Sequence, residues 1–506
     1  EHANLSEGEG VDPEMRRRRS GEATMIWGSG AFQGRRSASR GAWSWGALRN
    51  ALLATASLSM IGAGPGRAET VGGALIKAYL NNPDINTQRA AVRVADENVP
   101  KANAGYLPTI SAQGNAGIER FDGNLARLSG GGSGGTATVY PRGYGVTASE
   151  TIFNGNKTIS SIRQAESQVF GSREQLRNTE QNTLLAGVTA YMDVLRDTAI
   201  LDLDRNNVQV LQEQLRETRD RFTVGEVTRT DVAQAEASLS SAQATALSAE
   251  STLEASIARY RQVIGDQPTS LAPVRPIVKP LPKTLPEAIS ISQVEHPAIT
   301  ASLHGVDAAQ LQIKIAESAL YPTVAVSGSI TNQFDASGVP GLHVLSGQVM
   351  GQITIPIYQG GAEYAATRQA KEGLSQQELQ TDSARNQVRA AVVTAWGANQ
   401  AAVGVVRAAR AAVSANEVAL AGVREEAKVG QRTTLDVLNA QQALLNARVQ
   451  LVSAEHDEVV DSYSVLSSVG RLNIPTLGLA VAEYDPRVHF DQVKSKWIGL
   501  RTPSGQ

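Results

Sequence analysis

The strongest constraint on this chain is a helix-breaking turn that it uses twice. The stretch FTVGEVTRTDVAQAEASL, from Phe222 to Leu239, returns as AKVGQRTTLDVLNAQQAL, from Ala427 to Leu444. In each copy a helical pattern runs into Val224-Gly225 or Val429-Gly430, breaks, and resumes after a Thr with an Asp three residues on. Gly225 and Gly430 can take the left-handed conformation that closes a helix. Thr228 with Asp231 and Thr433 with Asp436 read as capping boxes, with Asp in place of the usual Glu. A helix stop set directly before a helix start folds two helices back on each other, here at two tight tips, 225–229 and 430–433.

The helices meeting at these tips are long. From Lys157 to Val224 there is no Pro, and apolar residues recur at Val188, Met192, Leu195, Val208, Leu211, Leu215 and Phe222. One helix over 157–224 would be about 100 Å long at about 1.5 Å per residue, too long for the interior of a compact globule. A return helix, 229–264, is about half as long. Pro268 and then Pro273, Pro276, Pro280 and Pro282 within the connector, 271–286, make a stretch that cannot be helical.

The first half then repeats. Asn82-Pro83 returns as His296-Pro297, Leu107-Pro108 as Tyr321-Pro322, and Ile152-Phe153-Asn154-Gly155 as Ile357-Tyr358-Gln359-Gly360. The two structural repeats are 69–270 and 287–475, followed by a tail, 476–506; the second holds a long helix at 362–429 and a return helix at 433–468. Segment lengths suggest end-to-end stacking of 229–264 with 287–319 as one column. The return helix 433–468 would then be completed by the opening helix 70–104, giving four columns per chain.

Between the helices the period changes. Ile110, Ala112, Gly114, Ala116 and Ile118 alternate with Ser111, Gln113, Asn115, Gly117 and Glu119, and Tyr144, Val146, Ala148 and Ile152 mark a returning strand. Hairpins are expected at about 108–153 and 323–357, the first enclosing the Gly-rich LSGGGSGG loop. Half-apolar strands suit a sheet with lipid on one side and water on the other. Four strands cannot close a barrel, which needs roughly eight, so several chains must contribute.

Residues 1–68 read as an upstream extension and secretory signal: Arg16 to Arg19, Arg35, Arg36, Arg40 and Arg49 precede the apolar run ALLATASLSMIGAG, and small residues place cleavage after Ala68. Met15 or Met25 is the expected translation start. With no cysteine, disulfides, thiol chemistry and an N-terminal acylated Cys are all excluded. A net charge of −2 offers no basic face for nucleic acid. Six His lie scattered with no metal-binding spacing, and no catalytic or cofactor constellation is visible.

The paired NNP and EHP, YLPT and LYPT, IFNG and IYQGG stretches, and above all VGxxTxxD with VGQRTTLDVLNAQ, resemble the TolC family of outer-membrane channel-tunnels over about residues 69 to 475. The resemblance implies an α+β membrane protein: a homotrimer whose twelve-stranded transmembrane β-barrel is continuous with a long periplasmic α-helical barrel, each chain giving four strands and four columns. It implies an outer-membrane exit duct in a Gram-negative bacterium, passively carrying proteins by type I secretion, or drugs and small molecules. The partners would be a periplasmic adaptor, an inner-membrane ABC or RND transporter, and outer-membrane lipid. The tail YDPRVHFDQVKSKWIGL resembles the type I secretion branch, and the missing acylation Cys argues against the acylated multidrug-efflux branch.

The same resemblance places a gate at the tips. It pairs Arg432 with Asp231 across neighbouring helices and lets Asp436 line a constriction, with Thr230 beside them. Asn439 stands where the family often has a second Asp, and Ala427 where a Tyr can join the lock. Val224, Gly225, Thr228, Val429, Gly430 and Thr433 form the turns and caps, and are candidates for docking the adaptor or pump. Capping alone accounts for both Asp equally well, and the two roles are compatible. A solute porin would explain the hairpins but not helices this long, and a structural envelope coiled coil the helices but not the hairpins.

Overall fold

The computed structural model describes residues 68–122, 136–336, 339, 341–503 and 505. The proposed signal segment before Ala68 and the whole of the Gly-rich LSGGGSGG loop lie outside these residues. In chain order the helices are α1 (Val71–Asn81), α2 (Pro83–Asp96), α3 (Asn98–Asn103), α4 (Lys157–Thr223), α5 (Arg229–Ile264), α6 (Leu285–Glu295), α7 (Pro297–Glu317), α8 (Ala362–Lys428), α9 (Thr434–Ser468), α10 (Ile474–Leu477) and α11 (Arg487–Val493). The strands are β1 (Thr109–Ala116), β2 (Glu119–Asp122), β3 (Thr136–Val139), β4 (Arg142–Asn154), β5 (Thr323–Phe334) and β6 (His343–Thr354).

The opening segment is not one helix: Asn82-Pro83 and the residues around Glu97 divide it into three. His296-Pro297 likewise divides α6 from α7. A Pro at the first position of a helix costs nothing there and blocks continuation of the helix before it. Asn82 and His296 cap the new helices, accepting from Asp84 N at 2.8 Å and Ala298 N at 3.2 Å.

These joints correct the column pairing expected from length. Asn82 Nδ2 donates to Val263 O at 2.9 Å, so α2 is seated on the end of α5. His296 is seated on the end of α9: a Cβ on Gly470 would fall 2.8 Å from its Cα, and Arg471 binds Glu295 twice, at 2.7 and 2.6 Å. Each half therefore completes its own column, α5 under α2 and α9 under α7. Lengths could not decide this because all the short pieces are nearly equal; the residues at the junctions do.

The α7 and α9 column stands between the two long helices. Gln164 on α4 meets Gln312 on α7 at 2.9 Å, and Ser302 on α7 meets Thr381 on α8 at 2.7 Å. Below, Arg410 on α8 binds Glu455 on α9 at 2.9 Å, while Asp193 on α4 meets His456 on α9 at 3.0 Å. The main core lies where the columns join, around Leu75, Tyr79, Ile85, Leu184, Tyr191, Tyr260, Ile264, Leu466 and Leu472, all buried. The Tyr191 hydroxyl lies 2.6 Å from the Glu69 carbonyl and 2.8 Å from that of Ala272, pinning the start of the described chain to the connector.

Strands β1, β4, β5 and β6 form one antiparallel sheet in that order, leaving β1 and β6 as edges among the described residues. Register puts Ile110, Ala112, Val146, Ala148, Val324, Val326, Ile330, Leu345, Val349 and Ile353 on one face. The other face carries Ser111, Gln113, Thr147, Ser149, Ser327, Ser329, Ser346, Gln348 and Gln352. A bulge between Thr151 and Phe153 breaks the alternation, so Phe153, not Ile152, faces Val324 across the strands. No described helix is long and apolar enough to cross a membrane.

The tail is also built in. Running beside α1 to α3, it brings Leu479 to Gly72, Tyr484 N to the Tyr79 hydroxyl at 2.9 Å, His489 Nδ1 to Asp96 Oδ2 at 2.9 Å, and the Lys494 carbonyl to Asn103 Nδ2 at 3.1 Å.

Candidate functional site

At the first tip Gly225 takes φ of 79°, and its N–H donates to Phe222 O at 3.0 Å while Glu226 N donates to Arg221 O at 3.0 Å. That pair of bonds satisfies the last carbonyls of α4, and only a residue without a Cβ holds this φ without strain. At the second tip Gly430 takes φ of 76°, with Gly430 N on Ala427 O at 3.1 Å and Gln431 N on Glu426 O at 2.9 Å. The helix starts match as closely. Thr228 N and Oγ1 donate to Asp231 Oδ2 at 2.8 and 2.7 Å, and Asp231 N donates back to Thr228 Oγ1 at 3.3 Å. Thr433 and Asp436 repeat the box at 3.0, 2.9 and 3.2 Å.

Both carboxylates are held below the usual range. For Asp231 the leading cause is the Thr228 hydroxyl, followed by the Thr228 backbone; for Asp436 it is the Thr433 backbone, then its hydroxyl. Arg432 Nε donates to Glu426 Oε2 at 2.8 Å, which raises the guanidinium further. Within one chain Arg432 is thus held by Glu426 on its own hairpin, and no described ion pair joins it to Asp231. Thr230 is exposed on the first turn of α5 and Asn439 on the second turn of α9, and Val224 and Val429 are each 71 % exposed at the turns.

Sequence reading missed the charges that span the tips. Arg221 Nε binds Glu226 Oε2 at 3.0 Å across the first turn, whereas at the second the carboxylate, Glu426, precedes the glycine and the guanidinium, Arg432, follows it. Their short separation along the chain on either side of a glycine was the available signal. Higher up, Arg219 binds Glu236 at 2.6 Å, and its counterpart Arg424 meets Gln441 at 2.8 Å, an uncharged partner. The tips therefore present exposed carboxylates and guanidinium groups suited to ion pairing, and no metal-binding cluster is found among the described residues.

Two long-helix hairpins with duplicated tips, joined to a sheet having one apolar and one polar face, define an elongated envelope channel component rather than a compact globule. The chain belongs to the outer membrane efflux protein family, whose model matches residues 75–266 and 288–471. It is 42 % identical over 439 residues to the outer membrane efflux protein BepC of Brucella suis, covering 87 % of this chain and 93 % of the relative. It is 24 % identical to the outer membrane protein TolC of Escherichia coli, with 78 % and 81 % covered. The fold matches the CmeC outer membrane channel of Campylobacter jejuni with a TM-score of 0.70 at 17 % identity, covering 85 % of this chain and 90 % of that one.

Proposed function

We propose that this chain is one protomer of a homotrimeric exit duct in the outer membrane of a Gram-negative bacterium. Twelve strands, four from each chain, would close a β-barrel that continues into a periplasmic helical barrel. The observation that carries this reading is the sheet: its faces divide into apolar and polar, yet among the described residues β1 and β6 each keep one edge unpaired. An open edge in hydrocarbon leaves a row of backbone groups unsatisfied, so the sheet is stable in a membrane only when other copies close it. The upstream segment acts as a secretory signal cleaved after Ala68.

The duct is passive. An inner-membrane ABC or RND transporter supplies the energy and a periplasmic adaptor couples it to the tips, where Val224, Gly225, Thr228, Val429, Gly430 and Thr433 form the docking turns. The name of the 42 % identical relative, an outer membrane efflux protein, favours efflux over protein secretion. At the closed entrance Asp231, Asp436, Thr230 and Asn439 face the constriction, and Arg432 links neighbouring hairpins through Asp231 in addition to holding Glu426.

Planar-bilayer recording tests the reading. A closed duct gives small, ion-selective conductance that rises in Arg432→Ala; large steady conductance would mean a porin, and none a structural coiled coil. Deletion in the native host separates the cargoes: lost resistance to hydrophobic toxic compounds supports efflux, and loss of an exported protein alone supports secretion.

A further inference from the structure

The end of the tail carries an exposed apolar cluster that the export function does not use. Trp497 and Ile498 are 77 % and 73 % exposed and Leu500 is fully so. This is no frayed end, for Val493 just before it is completely buried, Lys496 N donates to Val493 O at 2.8 Å, and Asn103 Nδ2 holds the Lys494 carbonyl. Further along, Lys496 Nζ reaches the Arg501 carbonyl. The fold thus spends buried contacts on presenting three large apolar side chains to the outside.

Their level in the molecule identifies what covers them. Asn103 is the last residue of α3, six positions before β1 begins at Thr109. At the same level a Cβ on Gly105 would touch Thr158 at 2.9 Å, and one on Gly155 would touch Tyr321 at 2.8 Å, so the feet of both hairpins meet there. Exposed Tyr106, Phe153, Tyr321 and Tyr358 ring that junction, in the position where aromatic side chains mark the boundary between lipid and water on a membrane barrel. Running upward beside α1 to α3, the tail delivers Trp497 to this boundary, since three residues beyond Lys494 span at most about 10 Å. Exposed Arg501 and Lys101 add positive charge around it, while Lys494 is paired with Asp491 at 2.7 Å, and that charge matches phosphate headgroups.

We propose that residues 494–501 are an interfacial anchor, with Trp497, Ile498 and Leu500 inserted into the periplasm-facing phospholipid leaflet of the outer membrane and the flanking basic residues on its headgroups. An aromatic and aliphatic wedge with basic flanks is the usual composition of such a contact. In this chain, which has no cysteine to acylate, the anchor would fix the height and tilt of the helical barrel relative to the membrane. The proposal rests on the outer-membrane reading above.

Tryptophan quenching in phospholipid nanodiscs tests it on the full assembled protein. With the other tryptophans replaced by Phe, Trp497 should emit at shorter wavelength than in water, be quenched by lipids brominated near the headgroup, and resist aqueous iodide. A second variant, Trp497→Phe with Val349→Trp on the apolar face of β6, reports independently whether the barrel lies in the bilayer. If position 349 is quenched by brominated lipid and Trp497 is not, the anchor is wrong while the barrel stands. Quenching at neither position overturns the membrane placement and the anchor with it. A Trp497 shielded from both lipid and iodide would mean that protein covers it, which also overturns the proposal.

Discussion

The long helices α4 and α8 both span 67 residues, yet their surroundings differ. On α4, Leu176, Leu184, Val188, Tyr191, Val194, Leu201 and Leu211 are buried together with polar Gln181, Asp197, Asp204 and Asn207, because its own chain packs against it on both flanks. On α8 burial is limited largely to one stripe, including Val388, Val392, Ala395, Ala402, Val406 and Ala409, facing α7 and α9. At Gly187 of α4 a Cβ would fall 2.9 Å from Leu75 Cδ2, whereas at Gly397 and Gly404 of α8 it would meet nothing within 4 Å. Duplication equalised the lengths; topology decided the burial. The bare flank of α8 continues downward from edge strand β6, and β1 is the opposite edge of the sheet. In the proposed trimer, two different open edges on one chain would meet head to tail, a contact that closes into a ring when the rotation between copies is one third of a turn.

Filling one small position on each helix breaks this comparison most directly. Gly404→Leu should leave the chain's own helical content unchanged but abolish assembly, read as a fall from trimer to monomer by detergent-corrected light scattering. Gly187→Leu should instead destabilise the fold by about 1 to 3 kcal/mol, because Leu75 must move. A trimeric Gly404→Leu protein would remove that flank from the interface.

The second test uses charge. Glu180 of α4 is enclosed near the tail, and burial pushes its carboxyl up to about 7 despite nearby Arg89. Its counterpart on α8, Arg385, is exposed beside Asp382. A raised carboxyl pKa means that its full contribution is present below pH 4.5 and is lost as pH rises through about 7. Glu180→Gln should therefore stabilise the protein at pH 8, by on the order of 2 to 3 kcal/mol, and flatten its thermal stability between pH 5 and 8. Arg385→Gln should change stability by less than about 0.5 kcal/mol. An unchanged pH profile in Glu180→Gln would show that water reaches this carboxylate.

What the sequence made legible was local or periodic. The glycine turns and Thr-Asp boxes are written within ten residues, and the alternation from Ile110 to Ala116 is a direct consequence of strand geometry. The column pairing was not legible, because it depends on contacts such as Asn82 with Val263 and Arg471 with Glu295, whose partners lie far apart in the chain. Ile152 does lie in the returning strand, but the bulge beside it, which shifts the register from Thr151 to Phe153, has no mark in the sequence. The tail carried a family resemblance but no period, so its packing along α1 to α3 could not be anticipated. For the tip residues the sequence showed which carboxylates cap, yet it did not show that Glu426 holds Arg432.

Local chemistry should be equal at the two tips even though their surroundings differ. Thr228→Ala and Thr433→Ala each remove a cap and should each cost about 1 kcal/mol. Hydrogen exchange at amides 229–232 and 434–437 measures this as faster opening of the first turn. A larger loss at one tip would show that its Thr also serves a contact between chains.

The smallest effect, and the sharpest distinction, concerns the reversed charges. The first tip places Arg221 before its glycine and Glu226 after it; the second places Glu426 before and Arg432 after. If Arg432 serves only its own hairpin, then Glu426→Arg combined with Arg432→Glu rebuilds an equivalent pair in the order used by the first tip. Folding and conductance should then both match the unmodified protein. If Arg432 also reaches Asp231 of a neighbouring hairpin, the double reversal sets a carboxylate against Asp231 and the entrance is biased open. The caps are untouched, since Thr433 and Asp436 keep their mutual bonds. The proposed gate therefore requires raised single-channel conductance with unchanged thermal stability in the double reversal, exceeding the rise in Arg432→Ala, which removes the attraction without adding repulsion. Equal conductance in all three proteins would reduce the second tip to what the first already is, a capped turn with a surface ion pair.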